Sequence, residues 1–379
     1  MPIHSPERSY TMLGIYIHIP FCKSKCGYCD FCSTTKYDDK MMDGYMKTLI
    51  TQIEEFFEDS NQKADTVYFG GGTPSVFGAK RIGKVLKELR KHVEIHPNAE
   101  ITVEANPESC DKAFCKELKK HGVNRLSLGV QSAIDSELFT IGRIHTFKQA
   151  QEAVKIAKEY LTENISLDLI YGLPDQTMES WDESLQSIID LAPAHISAYG
   201  LRLEEGSKMY HMDLNLPDDD MQADMYLYAV EKLKNAGYDQ YEVSNFAKNG
   251  MISRHNSKYW DLTEYLGLGA AAHSLYGGRR FGYSGNINNY INGIIELSES
   301  EDMALEKKYR KGEYIMLMLR TTKGINEAEF YSIFGEDFKE YGKKLEIFIK
   351  NGYAEYDGMT YRLTPKGFLI SNTIINELI

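Results

Sequence analysis

Four of the six cysteines in the chain crowd into the segment Cys22 to Cys32, spaced Cys22-x3-Cys26-x2-Cys29-x2-Cys32. Three closely spaced thiolates can hold three irons of a cubic cluster and leave the fourth iron open to another ligand. Two other chemistries compete on spacing alone. All four thiolates could close round a structural zinc, although zinc ribbons draw their cysteines from two separated pairs. Cys26-x2-Cys29-x2-Cys32 also begins a ferredoxin run, but Lys36 stands where the last cysteine of that run belongs. Inert buried cysteines would not crowd on a segment that also carries Lys23, Ser24, Lys25 and Gly27.

The cysteines follow directly on the apolar run Ile15–Ile19, the first of six. The others are Thr66–Phe69, Ile101–Glu104, Arg125–Leu128, Ile165–Ile170 and His195–Tyr199. Between and after them lie helical patterns over Asp38–Glu58, Val76–His92, Cys110–Lys120, Thr146–Tyr160, Met178–Asp190 and Asp218–Ala236. Strands alternating with helices of this length predict βαβ units and a parallel sheet. Six right-handed crossovers curl such a sheet into a full or partial barrel. Polar, glycine-rich segments follow most of the runs, where α/β barrels carry their chemistry.

After about Leu305 the pattern changes to helices over Lys308–Leu319, Glu327–Phe334 and Glu336–Asn351. A hairpin over Gly352–Thr364 turning at Asp357–Gly358 follows, and Thr364-Pro365 opens a last helix. The expected architecture is α/β: a partial (β/α)6 barrel with a smaller, mainly helical, winged-helix-like C-terminal domain. The expected division is a tail over residues 1–13, a core over 14–300 and the C-terminal domain over 301–379.

Composition narrows the partners. With 379 residues and a formal charge of -12, the chain is a poor candidate for wrapping a phosphate backbone, so no nucleic-acid partner is expected. No apolar stretch approaches the ~20 residues that span a bilayer, and MPIHSPERSYTML lacks the apolar core of a secretory signal. A cytoplasmic location with at most peripheral membrane contact is expected, with thiols kept reduced.

An apolar strand leading into C-x3-C-x-aromatic-C, here with Tyr28 before Cys29, resembles the radical S-adenosylmethionine (SAM) superfamily. Four further segments, Tyr16–Cys22 (YIHIPFC), Gly70–Ser75 (GGGTPS), Asn124–Ser132 (NRLSLGVQS) and Asp168–Thr177 (DLIYGLPDQT), narrow this. Together they resemble oxygen-independent coproporphyrinogen III oxidases and their relatives, and LRTTKGI (Leu319–Ile325) extends the likeness into the C-terminal part. The resemblance implies a [4Fe-4S] cluster on Cys22, Cys26 and Cys29 with SAM chelating the open iron. It implies one-electron cleavage of SAM to methionine and a 5′-deoxyadenosyl radical. Carried over, Tyr16 lies beside the cluster and Tyr28 near the adenine, while Gly71, Gly72 and Thr73 bring backbone to the methionine amino group. Glu104, Gln131, Arg143 and Asp168 hydrogen-bond the amino acid, carboxylate and ribose.

The oxidases carry a further cysteine two residues after the third ligand; here that place is Phe31, and Cys32 comes one later. They also carry an N-terminal extension longer than the segment ahead of this first strand. Both features resemble the HemW-type haem chaperones, as does RHNSKYW (Arg254–Trp260), which matches their HNxxYW motif. The implied cargo is haem, with His255 a candidate axial ligand, Tyr259 and Trp260 packing or secondary ligands, and Arg254 near a propionate. The expected function is haem binding and transfer to haem-accepting apoproteins. A one-electron donor and a second copy of the chain are further candidate partners. The alternative is coproporphyrinogen III oxidation or radical modification of haem; Phe31 counts against the oxidase, and no catalytic residue is assigned. Of the remaining motifs, Gly267-x-Gly269-x-x-Ala272 predicts a tight backbone approach near the substrate cavity, with His273 as a polar contact. His18 is expected to be structural.

Overall fold

The computed structural model describes residues 12–58, 60–298, 303–304 and 307–379. The expected tail lies almost wholly outside these residues, and so does the expected boundary at 300/301. Six strands lie side by side in chain order, each parallel to the next: β1 (Leu13–Ile19), β2 (Lys63–Gly71), β3 (Glu94–Ala105), β4 (Arg125–Gln131), β5 (Ile165–Tyr171) and β6 (His195–Gly200). A sheet that advances one strand per crossover curls in one direction. Closure is not reached. Beyond β6 the edge is made by β7 (Asp239–Gln240) and β8 (Asn245–Ala247), with β8 antiparallel to β6. Beyond β1 the sheet continues through β9 (Tyr265–Leu268), β10 (His273–Tyr276), β11 (Arg279–Gly282) and β12 (Met303–Ala304). The expected partial (β/α)6 barrel is what forms.

The crossover helices start where their sequences say they should. Asp38, Asp111, Thr146, Thr177 and Asp218 each accept a backbone N–H from the first helical turn. Such a cap is typically worth about 1 kcal/mol. The predicted helix over Val76–His92 is instead two, Pro74–Phe77 and Ala79–His92, because Gly78 takes φ 94° between them.

Strand side chains alternate between two faces. Outward positions such as Ile15, Ile17, Val67, Phe69, Val103, Leu126, Leu128, Leu167 and Leu169 are fully buried and form the core beneath the helices. The inward positions of the same strands are polar: Tyr68, Glu104, Arg125, Ser127, Ser166, Asp168, His195 and Ser197. The barrel therefore has an apolar shell and a hydrogen-bonding interior.

The C-terminal part contains the helix Lys307–Met318, β13 (Ile325–Asn326), helices Glu327–Phe334 and Lys339–Lys350, and the hairpin of β14 (Ala354–Tyr356) and β15 (Thr360–Leu363). The three strands order as β13-β15-β14, which gives the winged-helix-like arrangement. At the hairpin Gly358 takes φ 95°, and the Asp357 carboxylate accepts the N–H groups of Met359 and Thr360. Ile315, Phe330, Phe334 and Phe338 share one apolar cluster with Tyr226, Leu262, Tyr265 and Leu275 of the barrel side. This module packs on the sheet rather than hanging free.

Candidate active-site cavity

The loop after β1 is clamped at three points. Cys22 N–H donates to the Thr34 carbonyl at 3.0 Å, Gly27 N–H to Ile141 at 2.9 Å, and Met209 N–H to Gly27 at 2.8 Å. Cys22 is buried and Cys26 and Cys29 half-buried, and all three line one cavity of about 470 Å³. Burial pushes the Cys22 and Cys29 thiols up, and the neighbouring cysteines add to it. Cys32 is turned away: its Sγ donates to the Gly285 carbonyl at 3.4 Å, and it is absent from the cavity wall. Its carbonyl accepts from His18 Nε2 at 3.0 Å, and burial drops the His18 pKa to about 4. His18 is structural, as expected, and anchors the loop. Three of the cysteines line one cavity and the fourth does not, which fits a cluster with an open iron and not a four-cysteine zinc site.

Two glycines of the GGGT run are required by space. Gly71 takes φ 108°, and a Cβ there would lie 2.5 Å from the His18 ring. A Cβ on Gly72 would lie 2.9 Å from the Ile19 carbonyl and 3.0 Å from Cys22 Sγ. Either would push the cysteine loop off the barrel mouth. Thr73 Oγ1 points to Cys22 Sγ at 3.5 Å and accepts from Asn106 Nδ2 at 3.3 Å.

Arg143 binds this rim together. Its Nη1 donates to Cys26 Sγ at 3.4 Å, and its Nη2 to Asn106 Oδ1 at 2.9 Å and to the Gly129 carbonyl. Gln131 beside it adopts φ 74°, which side-chain-bearing residues rarely take and which marks functional turns. Tyr28 lines the cavity against Arg143, Cys26 and Cys29, and its burial pushes the phenol well up. Tyr16 is set one layer back: it does not line the cavity, and its hydroxyl donates to His18 Nδ1 at 3.1 Å.

Below the rim, Glu104 accepts from the Tyr68 hydroxyl at 2.6 Å. Burial, with Asp168 nearby, lifts its pKa to about 7. The Asp168 carboxyl, also raised by burial, accepts from Ser197 at 2.8 Å, Ser127 at 3.3 Å and Ser166 at 3.4 Å. Tyr68, Asn106, Arg125, the three serines and His195 were not singled out from sequence. Their signal is the inward parity of the strands: in RLSLGVQ, ISLDLI and HISAY, every second residue on one face faces this cavity.

The haem-ligand candidates sit elsewhere. Residues 254–260 form the helix Arg254–Trp260, capped by Ser253 and with its first N–H groups on the Glu100 carboxylate at 3.0 Å. His255 is fully buried; Nδ1 bonds Thr66 Oγ1 at 2.9 Å and Nε2 bonds the Tyr259 hydroxyl at 2.8 Å. Neither ring nitrogen is left for iron in this conformation, and burial lowers its pKa to about 3. Arg254 reaches Asp65 at 3.2 Å and the Asn98 carbonyl at 2.8 Å, on the outer surface rather than toward the cavity. Trp260 is half-buried and off the cavity wall; of this helix only Asn256 lines it. The Gly267–Ala272 turn is a tight approach, with a Gly267 Cβ 2.3 Å from the His273 carbonyl, but it too lies off the cavity, which corrects that expectation.

Residues 16–188 match the radical SAM superfamily and residues 306–370 the HemN C-terminal domain. The haem chaperone HemW of Lactococcus lactis is 35% identical over 369 residues, 96% of each chain. That of Bacillus subtilis is 33% identical and covers 97% of this chain and 99% of its own. The chain belongs to the HemW family of radical SAM proteins. In fold it is similar to the coproporphyrinogen III oxidase HemN of Escherichia coli, a radical SAM enzyme, with a TM-score of 0.84 at 22% identity. That match covers 97% of this chain and 90% of the other.

Membership of the radical SAM superfamily implies a [4Fe-4S] cluster and SAM, and the cavity fits both. Cys22, Cys26 and Cys29 would hold the cluster. Thr73, Glu104, Gln131, Arg143 and Asp168 surround the space below with donors and acceptors suited to an amino acid and a ribose. Among the described residues no helix is long and apolar enough to cross a membrane.

Proposed function

We propose that this protein is a cytoplasmic haem chaperone that binds haem and passes it to haem-accepting apoproteins, with a cluster and SAM at the barrel mouth. The observation that carries the reading is full-length similarity to HemW haem chaperones, joined to a mouth lined by three of the cysteines while Cys32 faces Gly285. When bound, the cluster supplies one electron to the SAM sulfonium. The protein's own residues do the rest. Arg143 holds the rim closed around Cys26, Thr73 supports Cys22, and Tyr68 keeps a proton on the shared Tyr68–Glu104 bond.

Phe31, 68% exposed at the cavity edge, offers an apolar ring where the oxidases have a thiol. An apolar ring suits a porphyrin face better than it suits redox chemistry. Axial ligation by His255 would require breaking its bonds to Thr66 and Tyr259, so haem is not assigned to that nitrogen in the closed conformation. A one-electron donor and self-association belong to the same proposal.

Anaerobic reconstitution followed by haem titration and transfer to an apo-haem protein tests the reading. Saturable binding and transfer are expected, with no conversion of coproporphyrinogen. Conversion with SAM consumption would reverse the assignment, and absence of saturable binding would end it.

A further inference from the structure

The deep end of the cavity holds a charge without a partner. Arg125, the first residue of β4, lines the cavity yet is only 2% exposed. Its Nε is buried with no acceptor, and among the described residues no hydrogen bond or ion pair reaches its guanidinium. A guanidinium stays charged at any ordinary pH, and burying it unpaired costs stability.

Its neighbours are already committed. Asp168 already accepts from three serine hydroxyls, and Glu104 accepts from Tyr68. His195 uses both ring nitrogens, on Ser166 Oγ at 2.7 Å and the Tyr241 hydroxyl at 2.8 Å, and His255 uses both of its own. All four groups feel the Arg125 charge, which opposes the upward push of burial on the two carboxyls and adds to the downward push on the two histidines, but none pairs with it. Asn256 lines the same cavity and adds an amide.

We infer that Arg125 forms a carboxylate-binding subsite at the deep end of the cavity, its forked guanidinium taking both oxygens of a ligand carboxylate. Bidentate pairing of this kind is what the guanidinium geometry favours. Resting on the haem reading above, the ligand that carries such a group to the deep end is haem, through a propionate; the SAM carboxylate, expected at the open iron of the mouth, is the competing source that the test separates.

The test uses the full-length, anaerobically reconstituted protein as wild type, Arg125→Gln and Arg125→Lys. Each is titrated separately with SAM, with haem and with haem dimethyl ester, and its melting temperature is recorded. Arg125→Gln is expected to melt no lower than wild type, because it removes an unpaired buried charge. It is expected to weaken a carboxylate ligand about tenfold or more, with Arg125→Lys in between. If the source is a propionate, esterification weakens haem binding to wild type by a similar factor and leaves Arg125→Gln indifferent. If the source is SAM, only the SAM affinity falls. Unchanged affinity for both ligands overturns the inference. So does a clear drop in melting temperature, which would make Arg125 a structural counter-ion to Asp168 and Glu104. Should wild type bind no haem, the chaperone reading fails, while the SAM titration still decides the subsite.

Discussion

The mouth of the barrel and the helix Arg254–Trp260 both carry residues able to ligate iron, yet they are built in opposite ways. Three thiols at the mouth, a raised carboxyl below the rim and an unpaired guanidinium at the deep end face one cavity. On the helix, His255, Arg254 and the first backbone N–H groups have each found a protein partner. Buried polar groups are normally satisfied, so the unsatisfied ones mark where a ligand belongs. Residue type alone does not separate the two regions; remaining bonding capacity does.

The strongest way to break this contrast is to remove thiols. Cys22→Ala, Cys26→Ala or Cys29→Ala is expected to abolish a stable cluster, read as iron and sulfide per chain after anaerobic reconstitution. Cys32→Ala is expected to leave both near wild type, because its sulfur faces Gly285 and not the cavity. A cluster lost equally in Cys32→Ala would mean that the loop rearranges to a four-thiol site.

On the helix side, His255→Ala should act on stability. It removes a fully buried ring and orphans Thr66 and Tyr259. A loss of about 2–4 kcal/mol is expected, measured by denaturant unfolding. Cluster content and the position of the haem absorption band should not move. A band shift would show that haem binding draws the ring out of the barrel.

Most of the frame was legible in the sequence because strand and helix periods differ and caps are local. Asp111, Thr146 and Asp218 announce their helices, and RLSLGVQ announces an alternating strand. The cysteine loop was legible because it too is local: three cysteines close in sequence line one cavity. The deep cavity was harder. Arg125, Ser166 and His195 come from three strands, and only the parity of each strand, read together with the curl of the sheet, places them in one interior. RHNSKYW reads in sequence as a ligand set, and the same spacing forms a short helix that buries its own histidine. The extension through β9, β10 and β11 carried too few alternating residues to be recognised.

A smaller effect sharpens the mouth side. The Glu104 carboxyl titrates near 7 in the folded protein against about 4.3 unfolded. Between those values the folded state binds more protons than the unfolded one, so stability falls as pH rises through that window. Tyr68, Tyr16, Tyr259, Asp168 and Arg125 are the charged or titratable groups around it. Glu104→Gln should therefore flatten the dependence, gaining roughly 1–2 kcal/mol over wild type at pH 8 and little at pH 5, because the carboxyl meets the cavity on one side. Denaturant midpoints at the two pH values read this directly. An equal gain at both would show that the carboxyl is not buried as charge.

The smallest expected effect belongs to Arg254, and it bears on the contrast because this residue was expected near a propionate. Its side chain is 43% exposed, and it spends its donors on Asp65 and the Asn98 carbonyl. An exposed pair of this kind is worth below about 1 kcal/mol, and salt screens it. Arg254→Ala should lower the melting temperature by a degree or two at most and leave haem affinity within about twofold. Added salt should narrow even that difference. Buried Arg125 has the opposite signature: no loss of stability, but a large loss of ligand. If Arg254→Ala instead cost tenfold in haem affinity at unchanged stability, the outer face of the helix would be the cargo site and the bonding capacity of the two regions would have been read in reverse.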